Sequence, residues 1–319
     1  MSFIDNASQY EGFKNSYKGI ESSVILSDLI GKPYILEIID GILSFTYNKF
    51  LGKEGVVFIK KYIHFLNNII PQDSFYTISN GLLKLRDEFC QLGLSNYYFE
   101  EFREKNLISS LSLIDPMYLM GKIIDVGADD NRLARVLTER YNKVTHVLGT
   151  DIVCNNRVTI DDKVGFIIQN TSYKLPAADD SFDVAICRYS LHHMSFRDQR
   201  CILSEISRVL KRNGVLIVYE NSFSRINRPF LTDFQWIHKK LELMNDIDIN
   251  IFLSIMDIVS LGIKDKNQNF AFTFRCFEDW LTVFKSWFKI KEAKYYGLPM
   301  TDLHQVPLAV FVLENLKLN

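Results

Sequence analysis

The stretch from Ile123 to Leu137, IIDVGADDNRLARVL, sets Asp125, Gly127, Asp129 and Asn131 at alternate positions behind a run of β-branched residues. A glycine in the turn after a strand lets the backbone approach a ligand, because it carries no Cβ. Asp151 lies 24 positions beyond Gly127, at the end of the next apolar run. That is the usual spacing for a carboxylate that accepts hydrogen bonds from both hydroxyls of a ribose. Strand, glycine turn and second carboxylate together point to an adenosine site. The two further glycines of a nucleotide loop are absent, and Asp129 and Asn131 stand in their places. Asn and Asp are the non-glycine residues that best tolerate positive φ, so the turn is expected to form. A nicotinamide site is disfavoured, since a G-x-G-x-x-G turn is missing.

These residues need a scaffold that brings strand ends together. Beyond Met120 short β-branched runs (KIIDVG, HVLGTDIV, VGFIIQN, FDVAICRYS, GVLIVYEN) alternate with amphipathic stretches (RLARVLTERY, FRDQRCILSEISRVLKRNG). Such alternation implies βαβ crossovers and a parallel sheet. The closing runs, FKIKEAKYYG and VPLAVFVLEN, follow one another too closely for a crossover helix and predict an antiparallel edge. From about Ser22 to Leu113 apolar residues recur at three- and four-residue spacing, punctuated at Gly31 to Pro33, at Gly52 to Gly55 and at Pro71 to Asp73. The expected fold is therefore α/β: a Rossmann-like, doubly wound sheet, mostly parallel with an antiparallel C-terminal strand. A helical cap over residues 1–118 precedes a domain over 119–319, which carries a helical insertion at about 221–274.

Two further segments, LPAADDSFDVAICRYSLHHM and ILSEISRVLKRNGVLIVYEN, bring a family into view. They resemble the class I S-adenosylmethionine-dependent methyltransferases, in particular the branch that reads LPF.D.SFD.V.....LHH and then E..RVLKPGG.L...E. The resemblance extends from Gly121 to Glu220. It implies S-adenosylmethionine as cofactor, with Asp125, Gly127, Ala128 and Asp129 around its methionine part and Asp151 and Ile152 at the nucleoside. Asn170 or Thr171 would lie beside the adenine, where the family usually has an acidic residue; an amide or hydroxyl oxygen accepts less strongly than a carboxylate. Arg188 and Tyr189 would stand near the sulfonium. The sequence departs from the family where GADDNRLA replaces the usual GAGDGRLA. Asp129 then faces the methionine carboxylate, a repulsion that Arg132 is placed to relieve.

Tyr189, His192 and His193 are the catalytic candidates, since imidazole titrates near neutrality and suits a general base for an acceptor hydroxyl or amine. A structural role for LHH in the strand-to-helix turn competes with this. No metal is expected, because two adjacent histidines need two more ligands and none stands at metal spacing. Glu220 either lines the acceptor pocket or caps a turn. Tyr295, Tyr296 and His304 are candidate acceptor contacts, Phe230, Phe234 and Trp236 candidate apolar walls, and Tyr10 and Tyr17 candidates to close over the site.

The activity implied is methyl transfer to a small molecule by in-line displacement. The alternatives are an intramolecular cyclisation of the cofactor that releases methylthioadenosine, and a methyltransferase-like scaffold without turnover. The 37 basic and 38 acidic residues nearly cancel, leaving no global field to hold nucleic acid or an anionic membrane. The 5 cysteines are scattered and form no CxxC pair, which suits reduced thiols in a cytoplasmic protein. No signal peptide or membrane-length apolar run is evident. A homodimer is compatible with all of this.

Overall fold

The computed structural model describes residues 32–68, 81, 84–85, 87–89, 91, 101–153, 157–226, 240, 243–262, 273–297 and 306–317. The chain divides into two compact units, one drawn from 1–105, 229–272 and 298–306, the other from 106–228, 273–297 and 307–319. In chain order the described residues form helices α1 (Pro33–Asn67), α2 (Arg103–Leu111), α3 (Arg132–Arg140), α4 (Phe196–Val209), α5 (Asp246–Gly262) and α6 (Phe277–Phe284). The strands are β1 (Gly121–Val126), β2 (Val144–Asp151), β3 (Val164–Ile168), β4 (Phe182–Arg188), β5 (Leu210–Asn221), β6 (Phe288–Gly297) and β7 (Leu308–Asn315).

The first unit is helical where it is described. Pro33 occupies the first turn of α1, where its missing N–H costs nothing. Gly52 breaks the helix at φ 64° and ψ −157°, a conformation open to glycine and at the punctuation expected from the sequence. The start of α1 is tied to the start of α5: Lys32 pairs with Asp248, and the Tyr34 hydroxyl donates to Asp248 Oδ2 at 2.8 Å.

In the second unit the strands form one seven-stranded sheet in the order β3-β2-β1-β4-β5-β7-β6. β1 to β5 pair in parallel, and β7 is antiparallel to both β5 and β6. Successive residues face opposite sides, as the strand period of two requires. Ile124, Val126, Ala185, Cys187, Leu216 and Val218 pack with α4 and α6 on one face. Ile123, Val184, Ile186 and Ile217 pack with α2 and α3 on the other. Strands covered on both faces read as continuous apolar runs, which is why β1, β4 and β5 stood out in the sequence. The order reverses between β2 and β4, on either side of β1. In open α/β sheets ligands bind beyond the carboxyl ends of the strands at such a reversal.

One boundary differs from expectation. The helical pattern through RVLKRNG suggests that α4 continues to Gly214, yet the helix stops at Val209. Leu210 turns extended (φ −72°, ψ 138°) and pairs with Phe182 at the start of β4. Asn213 has φ +62°, and a Cβ on Gly214 would stand 2.9 Å from the Lys211 carbonyl oxygen. Backbone pairing overrides helical periodicity there.

Candidate active site

β1 ends at Val126 and the chain turns sharply at Gly127, which has φ +82°. A Cβ on Gly127 would sit 2.6 Å from Ser190 Cβ, so this glycine is required by contact as well as by conformation. The N–H groups of Gly127 and Ala128 both donate to the Thr150 carbonyl oxygen, at 2.8 and 3.1 Å, lashing the turn to β2. Asp129 and Asn131 adopt φ +51° and +61°, so the turn forms without its usual glycines. Asn131 is fully buried, and its Nδ2 donates to the carbonyl oxygens of Thr159 (3.0 Å) and Gly165 (3.2 Å). Its side chain occupies the space over Gly149, where a Cβ would meet Asn131 Oδ1 at 2.0 Å.

Asp151 closes the turn from the side of β2. Its Oδ2 accepts from the Asp129 N–H at 2.9 Å and its Oδ1 from the Val153 N–H at 3.2 Å. Burial pushes its carboxyl above the ordinary value, partly offset by these backbone donors. Asp125 is 2% exposed and accepts no hydrogen bond from any described residue. Its carboxyl is pushed up to about 7, first by burial; the Arg188 guanidinium opposes the shift, and Asp151, Asp130 and Asp129 add to it. Arg132 pairs with Asp130, whose part in the turn the sequence did not announce, at 3.2 Å.

At the end of β4, Arg188 donates to Asn106 Oδ1 at 2.6 Å and lies 4.7 Å from the centre of the Tyr189 ring. Tyr189 itself has φ +53°, an outlier for a bulky residue that costs on the order of 1–3 kcal/mol. Its N–H donates to the Tyr219 carbonyl oxygen at 2.8 Å, and its hydroxyl bonds with Ser110. The ring thus packs towards α2.

Leu191 to His193 form a single 3₁₀ turn. His192 is 1% exposed, bonded to Glu220 and stacked on Phe274, with ring centres 4.7 Å apart. Its neighbour His193 is half-buried, the rings 4.2 Å apart. Gln199 Nε2 donates to the Leu191 carbonyl oxygen (3.0 Å) and to Thr273 Oγ1 (3.0 Å), binding the turn to the chain as it returns to the sheet. Ser190, Gln199, Thr273 and Phe274 had no motif to announce them; only Ser190 was traceable, as the small residue the chain needs beside Gly127.

Of the nucleoside candidates, Ile152 is 45% exposed beside Asp151, Asn170 is exposed, and Thr171 holds a buried hydroxyl that meets no partner among the described residues. Tyr295 packs with Phe277, ring centres 6.0 Å apart, and the Tyr296 hydroxyl donates to the Leu113 carbonyl oxygen at 3.2 Å. Tyr10, Tyr17, Phe230, Phe234, Trp236 and His304 lie outside the described residues.

Residues 124–218 match the model of a family described as a methyltransferase domain. The chain is 43% identical over 53 residues to the uncharacterized methyltransferase YcgJ of Bacillus subtilis, covering 17% of this chain and 20% of that protein. It is 44% identical over 52 residues to the uncharacterized protein YafE of Escherichia coli, covering 16% and 24%. The chain therefore spans about a quarter or less of the length of these curated relatives. Among solved structures it is similar to YcgJ itself, with TM-score 0.41 and 15% identity over 68% of this chain and 99% of that one. It is also similar to human N-acetylserotonin methyltransferase in complex with its methyl donor, with TM-score 0.45 and 15% identity over 83% and 69%. The likeness to a methyltransferase domain thus rests on residues 124–218, and by its strand order the sheet is the mostly parallel, Rossmann-like one that the sequence led us to expect. No helix among the described residues is long and apolar enough to cross a membrane.

Proposed function

We propose that the crevice beyond β1, β2 and β4 binds S-adenosylmethionine and that the protein transfers its methyl group to a small-molecule acceptor. When bound, this cofactor would supply a sulfonium-activated methyl group, open to in-line attack by an acceptor lone pair as the carbon–sulfur bond breaks and its electrons leave with sulfur. The observation that carries the reading is Asp125, a carboxylate almost wholly buried near the end of β1 and with no hydrogen bond from any described residue. A buried carboxylate that the Arg188 guanidinium relieves only in part is costly unless a further cation meets it, and a ligand with an ammonium and a sulfonium fits that demand. The family match over the same strands supports it.

The chain's own residues divide the work. Gly127 and Ala128 give the ligand close access to backbone. Asp151 keeps acceptor capacity for a ribose hydroxyl, because a carboxylate offers about four lone-pair sites. Ile152 offers an apolar surface to the adenine, with Asn170 and Thr171 at its edge. Arg188 and Tyr189 stand where the acceptor meets the methyl group, and Arg188 is placed to hold a carboxylate that Asp129 repels. His193, the more exposed imidazole of the pair, is placed to take the acceptor's proton. The rest of the acceleration comes from alignment and exclusion of water, which an activated methyl group chiefly needs.

Incubating the protein with labelled S-adenosylmethionine and candidate small acceptors, then identifying the nucleoside by mass spectrometry, tests this. S-adenosylhomocysteine with a methylated acceptor supports the reading. Methylthioadenosine would instead show cyclisation of the cofactor, and an unchanged cofactor bound to nothing would show a scaffold.

A further inference from the structure

Glu220, at the end of β5, is wholly buried and makes three hydrogen bonds through two oxygens with different duties. Oε1 accepts from the backbone N–H groups of Ser190 (3.1 Å) and Leu191 (2.8 Å). Oε2 meets His192 Nδ1 at 2.6 Å. Ser190 is the residue packed against Gly127, and its hydroxyl donates to the Val126 carbonyl oxygen at 3.1 Å. One carboxylate therefore holds the seat of the glycine turn on one side and an imidazole on the other.

We propose that Glu220 is the positioning residue of this site, holding Ser190 against the glycine turn and fixing His192 in the form that carries its proton on Nδ1. This deepens the methyltransferase reading and rests on it for its functional meaning. The chemistry behind it is simple. A carboxylate can only accept, so the nitrogen that meets it must carry the hydrogen, and in the neutral ring the other nitrogen, Nε2, keeps the lone pair. His192 is too buried to touch an acceptor, but its ring lies against that of His193. The orientation and tautomer of the inner imidazole thus set the environment of the outer one. Phe274 stacked behind His192, and Thr273 Oγ1 donating to the His192 carbonyl oxygen at 3.0 Å, leave the ring little freedom to turn. A carboxylate that merely capped the turn would need only the two backbone donors.

Two variants separate the duties. Glu220→Gln keeps a carbonyl oxygen for Ser190 and Leu191 but presents an NH₂ to Nδ1, which forces the proton to Nε2. Glu220→Ala removes both duties. Imidazole ¹⁵N spectra of the full chain should show His192 protonated at Nδ1 in the wild type and at Nε2 in Glu220→Gln. Calorimetry with S-adenosylmethionine should show Glu220→Gln within about threefold of wild type and Glu220→Ala weaker by about tenfold or more. A wild-type His192 protonated at Nε2, a tautomer unmoved in Glu220→Gln, or equal affinity in the two variants overturns the proposal. If the wild type binds no S-adenosylmethionine, the methyltransferase reading fails, while the spectra still decide what Glu220 does to His192.

Discussion

The backbone N–H of Asp129 donates to Oδ2 of Asp151 across 2.9 Å, joining the residue that replaces a loop glycine to the carboxylate at the end of β2. The turn is thus tied to β2 through the backbone of position 129, where φ is positive. What the side chain adds is charge: Asp129 raises the proton affinity of both Asp125 and Asp151.

Charge at position 129 should discriminate between donor and product, because S-adenosylmethionine carries one more positive charge than S-adenosylhomocysteine. Asp129→Gly keeps the N–H and eases the left-handed backbone, so the fold should be retained. It should reduce the preference for the charged donor over the neutral product by about fivefold, the equivalent of about 1 kcal/mol for one charge near the protein surface. Calorimetric titration of both nucleosides into each protein measures the ratio. An unchanged ratio would remove Asp129 from the site.

Asp125 makes the site sensitive to pH. Its folded-state pKa of about 7 lies above the ordinary value of 3.8, so between those limits the folded chain binds more protons than the unfolded one. Stability from this group is fully present below the ordinary value and is lost as pH rises through about 7. Asp125→Asn should therefore be more stable than wild type at pH 8, by on the order of a few kcal/mol in denaturant unfolding, with the two converging towards pH 4. The same variant should bind S-adenosylmethionine more weakly. In the wild type, affinity should fall as pH drops below 7, by up to about tenfold per unit for a single linked proton.

Asn131 looks in sequence like a damaged glycine position, and the structure makes it a fastener. Asn131→Gly restores the family residue yet strips hydrogen bonds from the Thr159 and Gly165 carbonyl oxygens, and should cost about 1–2 kcal/mol in denaturant unfolding. Gly149→Ala should be poorly tolerated in the wild type, where the new methyl would meet Asn131 Oδ1, and better tolerated beside Asn131→Gly. A double-mutant cycle reads this coupling directly; strict additivity would contradict it.

These residues also show what could be read without coordinates. β1, β4 and β5 announced themselves because strands buried on both faces must be apolar throughout, and Gly127, Asp151 and the LHH turn follow from strand ends. The willingness of Asp129 and Asn131 to take positive φ was a property of their side chains and so was foreseeable. The partners of Asn131 were not, since Thr159 and Gly165 come together only when β2 and β3 pair. Glu220 stayed ambiguous between pocket and cap for the same reason. Its three donors lie about thirty residues away in the chain, and only the parallel pairing of β4 with β5 brings them within reach.

The account turns on whether the strand-end crevice accepts a positively charged adenosyl ligand through Asp151. Isothermal titration of S-adenosylmethionine into wild type and Asp151→Ala at pH 8 tests it most directly. The account predicts micromolar binding to the wild type and none to Asp151→Ala, with the variant still folded by its unfolding transition. Absence of binding to the wild type, or equal binding to both, would contradict it.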